Sequence, residues 1–358
     1  MDNKAVIFFG FNDPLRYKRG VENVIWSQAQ AVDIGKIYYI YMDPESDRSA
    51  TWGKVEVIGV KKDASCYRSL NKIVGNLIRF YQRENVVIHS HHYLMSAFLW
   101  WRTDIFTIHD GLYYQAKFAR RNFLVKISHW LLEKWVYSRS RLIHVISRYT
   151  KEQLLIGTRH VEQIGNTSFL EGKLSATDPT TQPVALSVRS IETRAGIDLV
   201  IAAAEHFQKS KINLSFRVAG KGPLLDRYVG IARSKQLQNI QFLGYVSDEA
   251  LVDEYTKATF VLVTSLYGEG FGLPVIEGYV FNKPVIASNV CALPEMIIDR
   301  KFLFENRVDD LVKRISEVLD GKLNGFDFRK YYDAHFSNVE IESRYRALYQ
   351  NLKRLRNL

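Results

Sequence analysis

Short apolar runs separated by helical or loop stretches recur along the whole chain, and this alternation restricts the possible fold more than any other feature. In the first half the runs are Ala5 to Phe9, Ile37 to Tyr41, Val55 to Val60, Val86 to His89, Ile105 to His109 and Leu142 to Ile146. In the second half they are Val184 to Val188, Leu214 to Ala219, Ile240 to Leu243, Phe260 to Val263 and Pro284 to Ala287. Strands that are apolar throughout are buried on both faces, and helical crossovers between them make parallel sheets. The pattern predicts an α/β protein with two Rossmann-like, doubly wound domains, residues 1–170 and 184–338. Between them Glu171 to Pro183 is small, polar and proline-bearing, which reads as a linker. The last stretch, 339–358, has helical spacing and ends in Lys353, Arg354 and Arg356. A length of 358 residues with 47% hydrophobic content is enough for two cores.

Ligands in open parallel sheets collect at the carboxyl ends of the strands. The richest loop of that kind runs from Glu269 to Gly278, EGFGLPVIEG. A strand-type run, Ala258 to Ser265, precedes it, and Pro274 to Phe281 carries apolar residues at helical spacing. Gly270 and Gly272 admit turn angles closed to other residues, and Pro274 suits the first helical position. The free amides of the helix start, with the helix dipole behind them, suit a diphosphate. Glu277 lies about one turn into the helix and leans back toward its start, while Glu269 stands before the turn. Two carboxylates thus flank one anion pocket. Beside a phosphate their natural partners are hydroxyl groups, so a sugar nucleotide offers both features the loop asks for.

At these residues the chain resembles the retaining glycosyltransferases of family 4, whose mark is a Glu, seven residues, then a Glu; here these are Glu269 and Glu277. The resemblance implies the GT-B fold, two Rossmann-like domains facing a cleft, with the last helix returning to the first domain. It implies that Glu269 meets the donor sugar near the reacting face, that Glu277 holds the ribose, and that the amides of Gly270, Phe271, Gly272 and Leu273 hold sugar and diphosphate. His109, in the stretch TIHDG, resembles the histidine that faces the donor sugar. Family members carry two adjacent glycines between the first strand and helix; here Arg19 takes the first place and only Gly20 matches. Lys221, in GKGP after a strand, resembles a residue of the family's glycine loop near the nucleotide, which implies that it reaches a donor phosphate. The family's Gly-Arg and Lys-Gly pair is displaced: anchored on Gly196, its Arg falls on Ser190 and its Lys on Ala195. Arg189 and Arg194 keep the same separation one position earlier, which would still deliver two cations to the diphosphate.

The formal charge of +11 is uneven, since residues 1–165 hold 24 Lys and Arg against 15 Asp and Glu. Residues 113–141 alone carry seven basic residues against one acid, Glu133, interleaved with Phe118, Phe123, Trp130 and Trp135. Basic and aromatic residues on a helix suit an anionic membrane surface; the tryptophans are expected in the core and the charges at the membrane. Arg16, Lys18 and Arg19 are further basic residues that could meet an acidic acceptor. No recognition-helix or RNP-type pattern accompanies the charge, which excludes nucleic acid as a partner.

No apolar run approaches the roughly 20 residues of a membrane span. The start, MDNKAVIFFGF, lacks a signal-peptide layout, so a cytoplasmic protein bound to the inner membrane face is expected. Cys66 and Cys291 form no spaced pair, and the run His89, Ser90, His91, His92 lacks an adjacent carboxylate or cysteine, so neither a cofactor nor a metal is expected. These readings point to a sugar donor bearing a nucleoside diphosphate and to a saccharide or lipid-linked acceptor in surface polysaccharide synthesis. SNVCALPE, Ser288 to Glu295, resembles members that transfer mannose or rhamnose. Two alternatives stand beside this: a nucleotide-sugar hydrolase or epimerase of the same fold, and a catalytically silent binding module.

Overall fold

The computed structural model describes residues 4–16, 20–33, 35–154, 160–173, 180 and 182–356, with side chains described through residue 350. Lys18 and Arg19 lie outside the described residues, as do the side chains of Lys353, Arg354 and Arg356. The chain forms two compact units: Met1–Thr167 together with Asn338–Leu358, and Ser168–Ser337.

The first unit contains strands β1 (Ala5–Phe9), β2 (Lys36–Asp43), β3 (Arg48–Trp52), β4 (Val55–Lys61), β5 (Val86–Ser90), β6 (Thr103–Ile108), β7 (Ser140–Val145) and β8 (Val161–Gln163). They form one sheet in the order β3-β4-β2-β1-β5-β6-β7-β8. Helices α1 (Val21–Ala31), α2 (Cys66–Tyr81), α3 (Tyr93–Phe98), α4 (Leu112–Phe118), α5 (Phe123–Ser138) and α6 (Arg148–Glu152) join the strands. β1 shows why its sequence has no polar position. Val6 and Phe8 pack with Ile25 and Ala29 of α1 on one face, while Ala5, Ile7 and Phe9 pack with Leu70, Val74 and Ile78 of α2 on the other.

The expectation of an all-parallel sheet needs one correction. β3 pairs with β4 antiparallel, through a two-residue turn in which Gly53 takes φ +56°. As a half-exposed edge strand, β3 reads RSATW and has no apolar run to reveal it.

In the second unit β9 (Val184–Val188), β10 (Ser215–Ala219), β11 (Ile240–Gly244), β12 (Phe260–Val263), β13 (Val285–Ser288) and β14 (Leu303–Phe304) form a sheet in the order β11-β10-β9-β12-β13-β14. Every pairing in it is parallel. Its helices are α7 (Ile197–Lys209), α8 (Leu225–Ser234), α9 (Asp248–Lys257), α10 (Leu273–Val280), α11 (Leu293–Met296), α12 (Val308–Leu319) and α13 (Phe328–His335). Ile201 and Phe207 of α7 and Leu311 and Ile315 of α12 share one core with Phe216 and Leu262 of the sheet.

The chain then returns to the first unit as α14 (Asn338–Arg356). Ile341, Tyr345 and Leu348 enter the core beneath α1. Gln28 donates to Tyr345 at 3.1 Å, and the Tyr349 hydroxyl lies 2.8 Å from His89 Nδ1.

The placement expected for the α5 tryptophans is corrected. Trp135 is 51% exposed, and Ile127 and Leu131 are also open to solvent. The inward face of the helix is occupied by Glu133, Val136 and Tyr137, on the side opposite the apolar stripe.

Candidate functional site

The carboxyl ends of β9, β10, β12, β13 and β14 meet at one edge of the second unit, and most of the sequence-derived site residues are gathered there. Two backbone links lock the loops after β9 and β10 together. The Arg189 amide donates to Ala219 O at 2.9 Å and the Ile191 amide to Lys221 O at 2.9 Å. Gly220, at φ +143°, fits against the Arg189 carbonyl with no room for a Cβ.

Arg189 turns its guanidinium toward the loop after β12. Nη2 donates to Glu269 Oε2 at 2.6 Å and to Ser265 Oγ at 3.2 Å, while the side chain stays 6% exposed. Its Nη1 is buried and has no hydrogen-bond partner. An orphan donor on a buried cation is costly unless a ligand completes it. Arg194 sits on the far side of the turn, where Nη1 donates to Gly268 O at 2.6 Å and Nε to Glu192 at 3.3 Å. The displaced pair of arginines is therefore brought to the Glu269 turn, one as partner of the carboxylate and the other as a clamp on the backbone.

Around Glu269 the turn is built much as the sequence implies, with one exchange of roles. Gly268 at φ +66° and Gly272 at φ +97° take the left-handed angles, whereas Gly270 does not. Gly272 caps α10, and Pro274 follows in its first turn. The Phe271 side chain is buried edge-on against Phe336, so only its backbone is presented to the turn. The stretch after β13 closes over the turn: Ala292 N donates to Glu269 O at 3.1 Å, and Leu293 packs where a Cβ on Gly272 would stand. Lys221 is exposed, its ammonium 5.6 Å from the Tyr245 ring centre.

Glu277 projects from α10 into a buried position, where Tyr255 of α9 donates to Oε2 at 2.6 Å. Phe281 stacks on Tyr255 with ring centres 5.3 Å apart. Burial pushes the Glu277 carboxyl up to about 7, and the Tyr255 hydrogen bond works against that rise.

Sequence reasoning missed three groups here. Tyr255 has no local signal in the sequence. Asn306 receives a hydrogen bond from Ser288 at 2.7 Å and donates to Ser265 O at 2.9 Å, bracing the ends of β12 and β13. Ser288 in turn accepts from the Ser265 amide at 2.9 Å, and a polar residue closing each of several apolar strands was the available clue.

His109 and Gly20 belong to the first unit. His109 follows β6, with its Nε2 2.8 Å from Nδ1 of His91 and the two rings stacked. Burial, with the charge of His144 second, pushes His109 down to about 3, so the imidazole is neutral at neutral pH. Gly20 caps α1 at φ +48°. Arg16, the one described residue of the basic set Arg16, Lys18 and Arg19, is half-exposed and ion-paired with Asp13 and Glu45 at 3.7 and 3.5 Å. Glu22, also missed, accepts from the Asn12 amide and side chain at 3.2 and 3.1 Å, and burial pushes it up to about 7. Among the described residues no group of three or more His, Cys, Asp or Glu is arranged to hold a metal ion.

The profile of the family described as glycosyl transferases group 1 matches residues 174–334, the segment that carries this site. Those residues belong to the group 1 glycosyltransferases. An uncharacterized glycosyltransferase of Methanocaldococcus jannaschii is 30% identical over 157 residues, 41% of this chain and 43% of that protein. The O-antigen chain mannosyltransferase B of Escherichia coli is 41% identical over 81 residues, 22% of this chain and 21% of that protein. The chain thus spans less than half the length of these curated relatives. Among solved structures, sucrose-phosphate synthase from Thermosynechococcus elongatus matches with a TM-score of 0.78 at 18% identity, covering 98% of this chain and 99% of the other. The two α/β units are those of the GT-B fold, and the group 1 segment is its second unit.

Proposed function

We propose that this protein is a retaining, metal-independent glycosyltransferase that moves a hexose or deoxyhexose from a nucleoside-diphosphate sugar to a saccharide or lipid-linked acceptor. The observation that carries the reading is the Arg189–Glu269 pair, set at the start of α10 with one buried guanidinium nitrogen unpartnered, inside the group 1 segment. In this reading the donor diphosphate lies against the amides of Gly270 to Leu273 and takes the free Arg189 donor, with Arg194 and Lys221 adding positive charge. Glu269 faces the sugar and stabilises positive charge at the anomeric carbon; Glu277 accepts from the ribose hydroxyls. His109 faces the sugar as a neutral hydrogen-bonding group, and Gly20 leaves room beside the donor. The acceptor oxygen bonds to the anomeric carbon as the bond to the diphosphate breaks, and the hydroxyl proton passes to the departing phosphate oxygen.

The O-antigen mannosyltransferase among the relatives favours mannose as the sugar and a growing surface polysaccharide as the acceptor, at the cytoplasmic face of a membrane. Calorimetric titration of the purified protein with UDP, GDP, dTDP and CMP, repeated with Glu277→Ala, tests the donor site. Binding of one nucleoside diphosphate, weakened by the substitution, is expected. Binding of none by the folded protein would overturn the reading.

A further inference from the structure

The described surface of α3, α4 and α5 carries an uncommon concentration of large exposed apolar side chains. Leu124, Ile127, Leu131 and Trp135 fall on one side of α5 at helical spacing, and Leu124 is 76% exposed. Phe98 and Trp100, 53% and 72% exposed, continue the patch from the end of α3. The continuity is fixed by hydrogen bonds: Trp135 Nε1 donates to Ala97 O at 3.1 Å, and Arg139 to Leu99 O at 2.8 Å. Such a patch on a single chain marks a surface that something covers.

Charge says what covers it. The Lys134 ammonium lies over the Trp130 ring at 3.8 Å and the Arg139 guanidinium over the Trp135 ring at 5.2 Å, so a cation caps each tryptophan of the helix. Arg120 and Arg121 stand at the start of α5, both exposed. The one acid of the stretch, Glu133, is buried on the opposite face, where it accepts from the Tyr113 amide at 3.3 Å. With no exposed acid in residues 113–141, the apolar face and the cations beside it complement the headgroup and acyl layers of an anionic bilayer better than the mixed charges of a protein surface. Among the described residues no helix is long and apolar enough to cross a membrane, so contact of this kind is peripheral.

We infer that the exposed face of α5, with Phe98 and Trp100, docks on an anionic lipid bilayer by inserting its apolar stripe. The inference rests on the reading that the acceptor is at a membrane, and it adds that burial of side chains, not charge alone, holds the protein there. Glu133 ties α5 to the first turn of α4, directly after the β6 end that carries His109, so the docked helix is joined to the loop whose histidine is expected to face the donor sugar.

The test is cosedimentation of the full chain with vesicles of phosphatidylglycerol and phosphatidylethanolamine, against vesicles of phosphatidylcholine, for the wild type and for a Leu124→Asp, Leu131→Asp double variant. Both leucines are exposed, so the variant keeps its fold; nucleotide titration on the same preparations checks this. The wild type is expected to bind the anionic vesicles with residual binding at high salt, and the variant to lose on the order of a hundredfold in affinity. Binding that vanishes with salt and is unchanged in the variant would overturn insertion in favour of charge alone. No vesicle binding, or self-association of the wild type that the variant abolishes, would overturn it in favour of a second copy of the chain. Because vesicles and nucleotides are titrated separately, failure of docking and failure of the donor site are told apart.

Discussion

Arg189 and Glu269, 80 residues apart in the chain, meet at 2.6 Å where β9 and β12 end. The carboxylate that the sugar is to face is therefore held by the cation that is to face the diphosphate. Removing either partner disturbs both.

Glu269→Ala leaves the Arg189 guanidinium, 6% exposed, without its counter-ion. Because Glu269 itself is 17% exposed, the expected loss is roughly 2–3 kcal/mol, below the roughly 3–5 kcal/mol of a fully buried pair. An Arg189→Met, Glu269→Leu double variant is expected to recover most of that stability and to remain inactive. Urea unfolding together with product formation checks this; a single variant as stable as the wild type would show that the pair is solvated.

Nucleotide binding is expected to strengthen as pH rises through about 7, because the ionised Glu277 carboxylate is the stronger, charge-assisted acceptor for a ribose hydroxyl. Tyr255→Phe removes the hydrogen bond that lowers the Glu277 carboxyl, so the binding profile should move to higher pH. The sign for folding is opposite. A carboxyl raised from 4.5 to about 7 contributes stability that is present at low pH and lost as pH rises through 7. Titrations at several pH values decide it, and a flat profile in both proteins would refute the role given to Glu277.

Gly220→Ala is expected to cost activity without touching the ligand. A Cβ there would collide with the Arg189 carbonyl, and φ +143° is unfavourable for alanine. The loop after β9 must shift, which moves the guanidinium off Glu269. A displacement of about 1 Å is enough to cost on the order of a hundredfold in rate, to be read from kcat with the fold checked by circular dichroism.

Acid is expected to loosen the first unit. Burial holds His89, His91, His92, His109 and His144 below 6.5, so below that pH the unfolded chain takes up protons that the folded unit refuses. Glu22 and Glu133, raised to about 7, act in the opposite sense between 4.5 and 7. The histidines outnumber them, so stability should fall from pH 6.5 toward pH 4.5 by about 1.4 kcal/mol per pH unit for each unbalanced proton. Amide exchange in β5 and β6, corrected for intrinsic rates, measures it; equal protection across that range would contradict the ledger of protons.

The strands that carry both cores were legible because burial on two faces leaves no polar position, as in β1 and β9. β3, β8 and β14 were not, since an exposed edge, a three-residue strand and a two-residue strand contain no such run. At the site, the turn from Glu269 to Pro274 was legible from local chemistry: a glycine that must turn, a proline that must start a helix. The partners were not, because Tyr255 reaches Glu277 and Asn306 reaches Ser265 only after the sheet brings separate loops together. The α5 tryptophans misled for a related reason. Spacing shows that a helix has an apolar stripe and does not say whether protein or another phase covers it.

The return of α14 sets an order for synthesis. Residues Ser168–Ser337 are one continuous segment and can close their core as they leave the ribosome, whereas the first unit waits for Tyr345 and Tyr349, its last core tyrosines, to emerge. Until then α1 and the sheet beneath it stand partly uncovered. The half of the protein translated first is the half completed last, and a clone ending before Asn338 would yield a finished second unit attached to an unfinished first.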